Sequence, residues 1–288
     1  IKKAYKKFEN VRLKGSDYKV GDLVIKKNTV INSIHIKALK ALGIENIKVK
    51  KKINVVFFSS GNEISENDKI ATWKIRNSNH HYLKSLNNNF LFNFKNFGII
   101  RDADENKFYK KLIKILDSDI NIIITSGAVS AGKFDFIPRV VNQLKLSHSF
   151  KNILIRPGKP ILFAKFKDKS KVIFGLPGNP ISTAACFRFF VHPYIQNILG
   201  LKTERPIKAK LKNNFIKNKK FTRFVKSKLS TTKNGKVEVA ILKGQESFRI
   251  KSFVNSNIWT LLPAGKAKFK KGEIVDCFFP NHSNQTLI

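Results

Sequence analysis

Methionine is absent from all 288 residues, and acidic side chains are scarce, 19 against 56 Lys and Arg. Without Met, Ile1 is not an ordinary initiator, and the chain is expected to continue upstream. The two cysteines, Cys186 and Cys277, lie far apart with no CxxC or Cys/His spacing, which excludes a thiolate metal site from the sequence pattern. Cys186, between Ala185 and Phe187, reads as a small core residue, and so few thiols fit a cytoplasmic location. No apolar run approaches the roughly 20 residues that span a bilayer. Ile1-Lys2-Lys3-Ala4 lacks the apolar core of a secretory signal. The chain is therefore expected to be soluble, with no membrane partner. The six histidines form no ligand pattern. His80 and His81 are adjacent and would project about 100° apart on a helix, so both are expected at the surface. Ser130 lacks evident His and Asp partners for hydrolase chemistry.

What is abundant is positive charge, a formal net of +37. Such a charge suggests nucleic acid or another anionic partner. The lysines, however, are dispersed through every segment, and Lys, Asn, Ile and Phe share A- and T-rich codons. Basic residues interleaved with stacking aromatics are missing. Nucleic acid is therefore not the expected partner, although a basic surface steers small anions toward a cleft.

At roughly 150 residues per domain the length suggests two domains. Residues 1–50 read as a lead-in segment, with a helix capped by Asn32 or Ser33 and ended by Gly43, then a strand over Asn46–Val49. Residues 51–203 alternate strands with helices. The strands are predicted at Ile53–Phe58, Asn121–Thr125, Pro160–Phe166 and Lys171–Phe174. The helices are predicted at Asn77–Phe92, Glu105–Asp117, Phe134–Leu146 and Ile181–Leu199. Unbroken apolar runs mark strands buried on both faces, hence an α/β domain with a mainly parallel sheet in three layers. Beyond Arg205-Pro206 the pattern is all strand and turn, and residues 204–288 read as a small all-β barrel or sandwich without a helix.

Three of the predicted strands run into loops of small residues: Ser59–Glu63, Thr125–Gly132 and Gly175–Pro180. Ligands of open parallel sheets bind beyond the carboxyl ends of the strands, so the loops should share one crevice. Glycine allows close backbone approach, and freed N–H groups and hydroxyls suit phosphate. The helix after Pro180 would aim its first N–H groups at an anion. A tight strand-to-helix turn would explain any one loop; three together are harder to explain so. Arg156-Pro157-Gly158-Lys159-Pro160 holds two cations in a stiff frame suited to oxyanions. Asp135 could hold Mg²⁺ or activate water beside the second loop, or simply complement a helix N-terminus.

Together Ser59–Glu63, Gly98–Asp102, Thr125–Asp135, Arg156–Pro160 and Gly175–Ser182 resemble the MoeA/gephyrin family of molybdopterin molybdenumtransferases. The likeness is strongest from Ile53 to Phe187. It extends to Gly15–Leu42 and to Gly244-Gln245-Glu246-Ser247. The resemblance implies a molybdopterin-binding α/β domain followed by a C-terminal β-barrel. It implies an enzyme that inserts molybdate into adenylylated molybdopterin with release of AMP and the help of Mg²⁺, working as a homodimer in contact with other enzymes of the pathway. It implies that Ser59, Gly61, Glu63, Thr125, Ser126, Gly127, Ser130, Gly132, Pro177, Gly178, Asn179 and Pro180 hold the pterin substrate. Arg156 and Lys159 would bind molybdate or phosphate. Asp135 would be the Mg²⁺ ligand and, with Asp102, would serve the catalytic step, and Ser247 would reach the cleft from the barrel. Ala128 stands where Gly is common, and Asn77 where many members carry Asp. Much of the family's N-terminal region is expected to lie outside these residues, which alone should turn over weakly or not at all. The alternatives are a molybdopterin adenylyltransferase, which lacks the flanks before 50 and after 205, a scaffold, and a basic anion- or nucleic-acid-binding protein.

Overall fold

A computed structural model describes residues 6–67, 69–86, 91–129, 135–167 and 169–280. Ser130 and Gly132 lie outside these described residues. The chain divides into two compact units. The first is Ile1–Lys50 with Leu199–Leu201. It contains helix α1 (Ser33–Ala41), whose N-terminus Asn32 caps by accepting from the Ile34 and His35 N–H groups. His35 closes the box by accepting from the Asn32 N–H. Gly43 takes a positive φ just after the helix. Within the same unit Lys50 Nζ donates to the Leu199 carbonyl at 2.7 Å. The strand expected over Asn46–Val49 does not form. Ile47 and Val49 are exposed, so the run buries no apolar face against a neighbouring strand among the described residues.

The second unit, Lys51–Ile198 and Lys202–Ile288, holds two six-stranded sheets and two small ribbons, β2 (Ile64–Ser65) with β3 (Ile75–Arg76) and β11 (Phe215–Ile216) with β15 (Lys268–Phe269). Its first sheet has the order β4 (Phe92–Ile100), β1 (Ile53–Ser60), β5 (Ile122–Ser126), β9 (Val172–Leu176), β8 (Leu162–Phe166), β6 (Leu146–Lys151). The first four are parallel; β8 and β6 join antiparallel. Alternation along β1 shows why helices cover both faces. Val56 and Phe58 enter a core with Phe108, Leu112 and Ile115 of α3 (Glu105–Leu116) and Ile137, Val140 and Val141 of α4 (Ile137–Asn142). Phe57 points the other way, toward His80 of α2 (Ser78–Ser85), as Phe174 does toward Tyr194 of α6 (His192–Ile198). Three layers result.

The predicted helix Asn77–Phe92 is shorter than its pattern. α2 ends at Ser85, and Phe92 begins edge strand β4, whose exposed Asn93, Lys95 and Asn96 disguised it. Edge strands carry polar residues and so lose the apolar signature. β6, another exposed edge, was hidden for the same reason. α4 occupies only Ile137–Asn142 of the predicted Phe134–Leu146.

The helix predicted over Ile181–Leu199 is continuous but not uniform. α5 (Pro180–Cys186) passes into a π turn at Phe187–Val191 and then into α6. Pro193 has no N–H to return to the Phe189 carbonyl four residues back, and the helix widens just ahead of it. The turn aims Arg188 and His192 inward, where both are buried. Burial, and after it the Arg188 charge, pulls the His192 pKa down to about 3. An unfolded histidine binds its proton near pH 6.5. Its folded value is depressed, so the stability it contributes is complete above pH 6.5 and is lost as pH falls from there toward 3. His192→Phe is expected to flatten the acid limb of the stability curve between pH 6.5 and 4. Urea midpoints across that range check it, and an unchanged limb would refute it.

The second sheet closes as a five-stranded barrel: β10 (Ile207–Leu211), β16 (Ile274–Phe278), β14 (Ile258–Leu262), β12 (Thr222–Thr231), β13 (Val237–Ile241) and back to β10. Ala209, Leu211, Val225, Val239, Val275 and Cys277 fill it. Between them Lys208 and Asp276 pair across the outside. Closure removes the free edges that a sandwich would keep. One short helix, α7 (Ile250–Val254), interrupts the expected all-strand pattern. Outside the barrel Phe189 of the π turn stacks on Phe224, ring centres 4.0 Å apart. Beyond it, β7 (Ile155–Arg156) adds in parallel to β12, pairing Ile155 with Thr222 and Arg156 with Arg223.

Candidate functional site: a rim of three loops beside paired arginines

The three glycine-bearing loops meet. β1, β5 and β9 are parallel neighbours in register, with Ser59 opposite Ser126 and Ser126 opposite Leu176, so their carboxyl ends lie side by side. Gly127, at φ +97°, is so close to the first loop that a Cβ on it would stand 2.4 Å from the Ser60 carbonyl oxygen. A Cβ on Gly178 would stand 3.6 Å from the Gly127 Cα. Thus Ser60, Gly127 and Gly178 form one contiguous rim.

Two asparagines of α2 and its cap lace that rim together. Asn79 Nδ2 donates to Ser126 Oγ at 2.7 Å and to the Gly178 carbonyl at 2.8 Å. Thr183 Oγ1 donates to the Pro177 carbonyl at 2.6 Å and lies 3.4 Å from Ser126 Oγ. Asn77 accepts from Ser59 Oγ at 2.8 Å and donates to Glu66 at 2.6 Å. Asn79 was not singled out in the sequence; its nearness to Asn77 in Ile75-Arg76-Asn77-Ser78-Asn79 was the available signal. Arg101 was missed too. Its Nη1 donates to the carbonyls of Gly61, Asn62 and Ile64, tying down the first loop, while the Asp102 N–H donates to Asn62. The Glu63 carboxylate folds over Gly61, where an added Cβ would meet it at 2.4 Å. Two hydroxyls of the rim, Ser60 Oγ and Thr125 Oγ1, are buried with no hydrogen-bond partner among the described residues. Ala128 takes φ +51°, the left-handed conformation in which the family's usual Gly would be unstrained. Asp135 is half-buried, two residues before α4.

The Arg156–Pro160 turn sits between this sheet and the barrel. Its Arg156–Pro157 peptide is cis, Pro157 and Gly158 are buried, and Arg156 and Lys159 are exposed. Gly158 is pressed against Cys186, whose Sγ lies 3.7 Å from the Gly158 carbonyl. Burial pushes the Cys186 thiol far above its usual range, so it packs and does not react. Arg156 lies over the Phe221 ring, 4.4 Å from its centre, and Arg223 over Phe215 at 5.8 Å. The two arginines are strand partners. Burial lowers the Arg223 pKa, and the Arg156 charge lowers it further. Arg223 Nε is buried and has no hydrogen bond among the described residues. Two arginines on paired strands, one with a buried spare donor, are a candidate seat for an oxyanion. Nothing in Phe221-Thr222-Arg223-Phe224 marked this arginine in the sequence, because its role comes from strand pairing.

Ser247 reaches the third loop from the barrel. Asn179 Nδ2 donates to Ser247 Oγ at 3.2 Å, and the Ile181 N–H donates to the Ser247 carbonyl, also at 3.2 Å. Lys226 and Gln245 hold the segment around it. Gln245 accepts from the Lys226 N–H and donates to the Lys226 and Leu242 carbonyls. Lys226 Nζ donates to the Glu246 and Arg249 carbonyls. Burial brings the Lys226 pKa down to about 8.

His80 and His81 correct the expectation of two unrelated surface histidines. His81 is exposed, but His80 is half-buried against Phe57 and Phe94, and both reach Glu66. The near nitrogen of one ring and the far nitrogen of the other converge, although their Cβ directions diverge.

A mainly parallel sheet with helices on both faces and glycine-bearing loops at its carboxyl edge, joined to a small closed barrel, defines an α/β protein with an added β-barrel. Residues 58–197 match the family described as a probable molybdopterin binding domain, and residues 208–278 match the MoeA C-terminal region, domain IV. The molybdopterin molybdenumtransferase of Staphylococcus epidermidis is 33% identical over 279 residues, covering 96% of this chain and 65% of that protein. The corresponding protein of Staphylococcus aureus is 34% identical over 289 residues, with the same shares. A crystal structure of a molybdopterin biosynthesis moeA protein from Pyrococcus horikoshii shares the fold with TM-score 0.75, at 25% identity over 92% of this chain and 64% of its own. Over 96% of its length the chain is similar to these molybdopterin molybdenumtransferases. It spans about 65% of the length of the Staphylococcus relatives. Among the described residues no helix is long and apolar enough to cross a membrane.

Proposed function

We propose that this chain carries the pterin- and oxyanion-binding part of a molybdopterin molybdenumtransferase, which inserts molybdate into adenylylated molybdopterin and releases AMP. The observation that carries the reading is the Arg156–Arg223 strand pair, whose turn leads into β8 at Leu162, opposite Gly175 where the third loop begins. Two guanidiniums share one position on paired strands, and a tetrahedral dianion offsets the repulsion between them. Arg156 and Arg223 form the fork, with Lys159 as an additional point charge.

The rim would receive the pterin's phosphate and dithiolene end through Ser59, Gly61, Thr125, Ser126, Gly127, Gly178 and Asn179, with Pro177 and Pro180 shaping the third loop. A buried hydroxyl without a partner costs roughly 1–3 kcal/mol. A ligand that bonds Ser60 and Thr125 recovers it, and Ser60 is added to the site on that ground. Ser247 would hold the substrate from the barrel side. Ser130 and Gly132 remain assigned to the second loop on the resemblance alone. The carboxylates Glu63, Asp102 and Asp135 suit Mg²⁺, a hard cation that takes oxygen ligands. When bound, Mg²⁺ would neutralise phosphate charge; Asp135 would hold it or orient water, and Glu63 and Asp102 flank the first loop. We place the domain divisions at 51–203 and 204–288, the whole protein as a cytoplasmic homodimer, and its contacts with other enzymes of the pathway.

The discriminating assay follows AMP. Molybdate-dependent release of AMP from adenylylated molybdopterin supports transfer, whereas ATP-dependent adenylylation would support the adenylyltransferase alternative. Arg223→Met should weaken molybdate binding by about 10- to 100-fold, since a charge-assisted hydrogen bond contributes roughly 1.5–3 kcal/mol. Calorimetric titration with molybdate measures it, and an unaltered affinity would remove Arg223 from the site.

A further inference from the structure

We infer that Glu66, His80 and His81 form a binding site for one borderline divalent cation of the zinc class, separate from the three-loop rim. One donor atom from each lies within 4.8 Å of the others. His80 Nδ1 stands 3.6 Å and His81 Nε2 4.0 Å from the same Glu66 oxygen, Oε2. Tetrahedral ligands at about 2.0–2.1 Å from zinc are about 3.3 Å apart, so these donors need to close by a few tenths of an ångström to about 1.5 Å. Two imidazoles and one carboxylate, with a further position left to solvent, is a donor set that zinc, cobalt and nickel accept. Magnesium, which prefers oxygen alone, does not favour it.

The site is partly organised without an ion. The His80 ring lies nearly parallel to Phe94 and to Phe57, at interplanar angles of 14° and 16°, which limits its rotation. Its Nδ1 also meets Asn96 Nδ2 at 3.4 Å, a long hydrogen bond that coordination would replace. The other carboxylate oxygen of Glu66 accepts from Asn77 at 2.6 Å, and Asn77 in turn accepts from Ser59. Such support behind a ligand fixes its orientation. It also links the cation to a side chain of the rim without placing it there. The net charge of +37 opposes any cation, but distant charges are screened beyond about 8–10 Å, while coordination acts at contact. The inference does not depend on the proposed reaction.

The test is a titration of the untagged, chelator-stripped chain with Co²⁺, followed by displacement with Zn²⁺. One equivalent of Co²⁺ should bind with the intense visible absorption of a low-coordinate nitrogen-bearing site, and Zn²⁺ but not millimolar-range Mg²⁺ should bleach it. His81 is exposed, so His81→Ala leaves the fold intact, as far-UV circular dichroism would verify. It and Glu66→Gln should each weaken Co²⁺ binding at least about tenfold. Absence of the absorption, or both variants binding as tightly as the parent chain, overturns the site. Because the readout is metal binding, its failure leaves the molybdate proposal standing, and loss of molybdate affinity leaves this one standing.

Discussion

Exchanging Glu204 for alanine is expected to lower the unfolding free energy by about 3 kcal/mol, as for other buried pairs that lose one partner. The Arg188 side chain is only 3% exposed and Glu204 19%. Arg188 Nη2 donates to both Glu204 oxygens, at 2.8 and 2.6 Å, and Nε donates to the Phe279 carbonyl at 2.6 Å. Burial draws the Arg188 pKa down, and Glu204 is the principal group opposing that. Without Glu204 the guanidinium stays in the π turn as an unbalanced charge. The double replacement Arg188→Leu, Glu204→Leu should recover much of the loss, since apolar residues of like volume can replace a buried pair at little cost. Urea unfolding with a constant slope measures both. A loss below about 1 kcal/mol for Glu204→Ala would mean that the pair behaves as a surface bridge.

The second large effect is expected from Gly127→Ala. At φ +97° any side chain is strained, and here its Cβ would also be driven to 2.4 Å from a backbone oxygen of Ser60. Strained backbone alone costs on the order of 1–3 kcal/mol, and the overlap cannot be relieved by a rotamer change. The rim must open, so binding of a molybdopterin substrate should weaken more than about tenfold beyond the stability loss. Gly235→Ala supplies the comparison. It too has positive φ, +71°, but nothing lies within 4 Å of the added carbon. That change should cost only about 1 kcal/mol and leave binding intact. Equal effects on binding at the two positions would show that the close approach of the loops is irrelevant to the substrate.

How much of this was legible depended on burial. β1, β5 and β9 are mostly apolar because both faces are covered, and their runs stand out in the predicted strands Ile53–Phe58, Asn121–Thr125 and Lys171–Phe174. The loops after them were visible for the same reason, since a small-residue turn is easiest to see after an unbroken apolar run. β4 and β6 were not visible, because edge strands alternate with or expose polar residues. The helical run at Ile181–Leu199 was placed, but its π turn was not, although Pro193 was there to suggest a disturbance. Within the site, single-segment features such as Gly127, Arg156 and Asn179 could be proposed from their own neighbourhoods. Arg223, Asn79, Arg101 and Lys226 could not, because each acts on residues far away in sequence. The grouping of His80 and His81 with Glu66 was not expected, because the angle between Cβ directions ignores how far an imidazole reaches.

The short pairing of β7 with β12 has one further effect. Arg156 and Arg223 hang from hydrogen-bonded neighbours, so the gap between their backbones is a spacing of the sheet, about 4.8 Å, which no side-chain substitution alters. If the proposed oxyanion seat holds, selectivity by radius would then fall to the aromatic cushions beneath, Phe221 and Phe215, whose thickness sets how high each guanidinium rides. Exchanges at those two phenylalanines would change the seat while its charges stay in place.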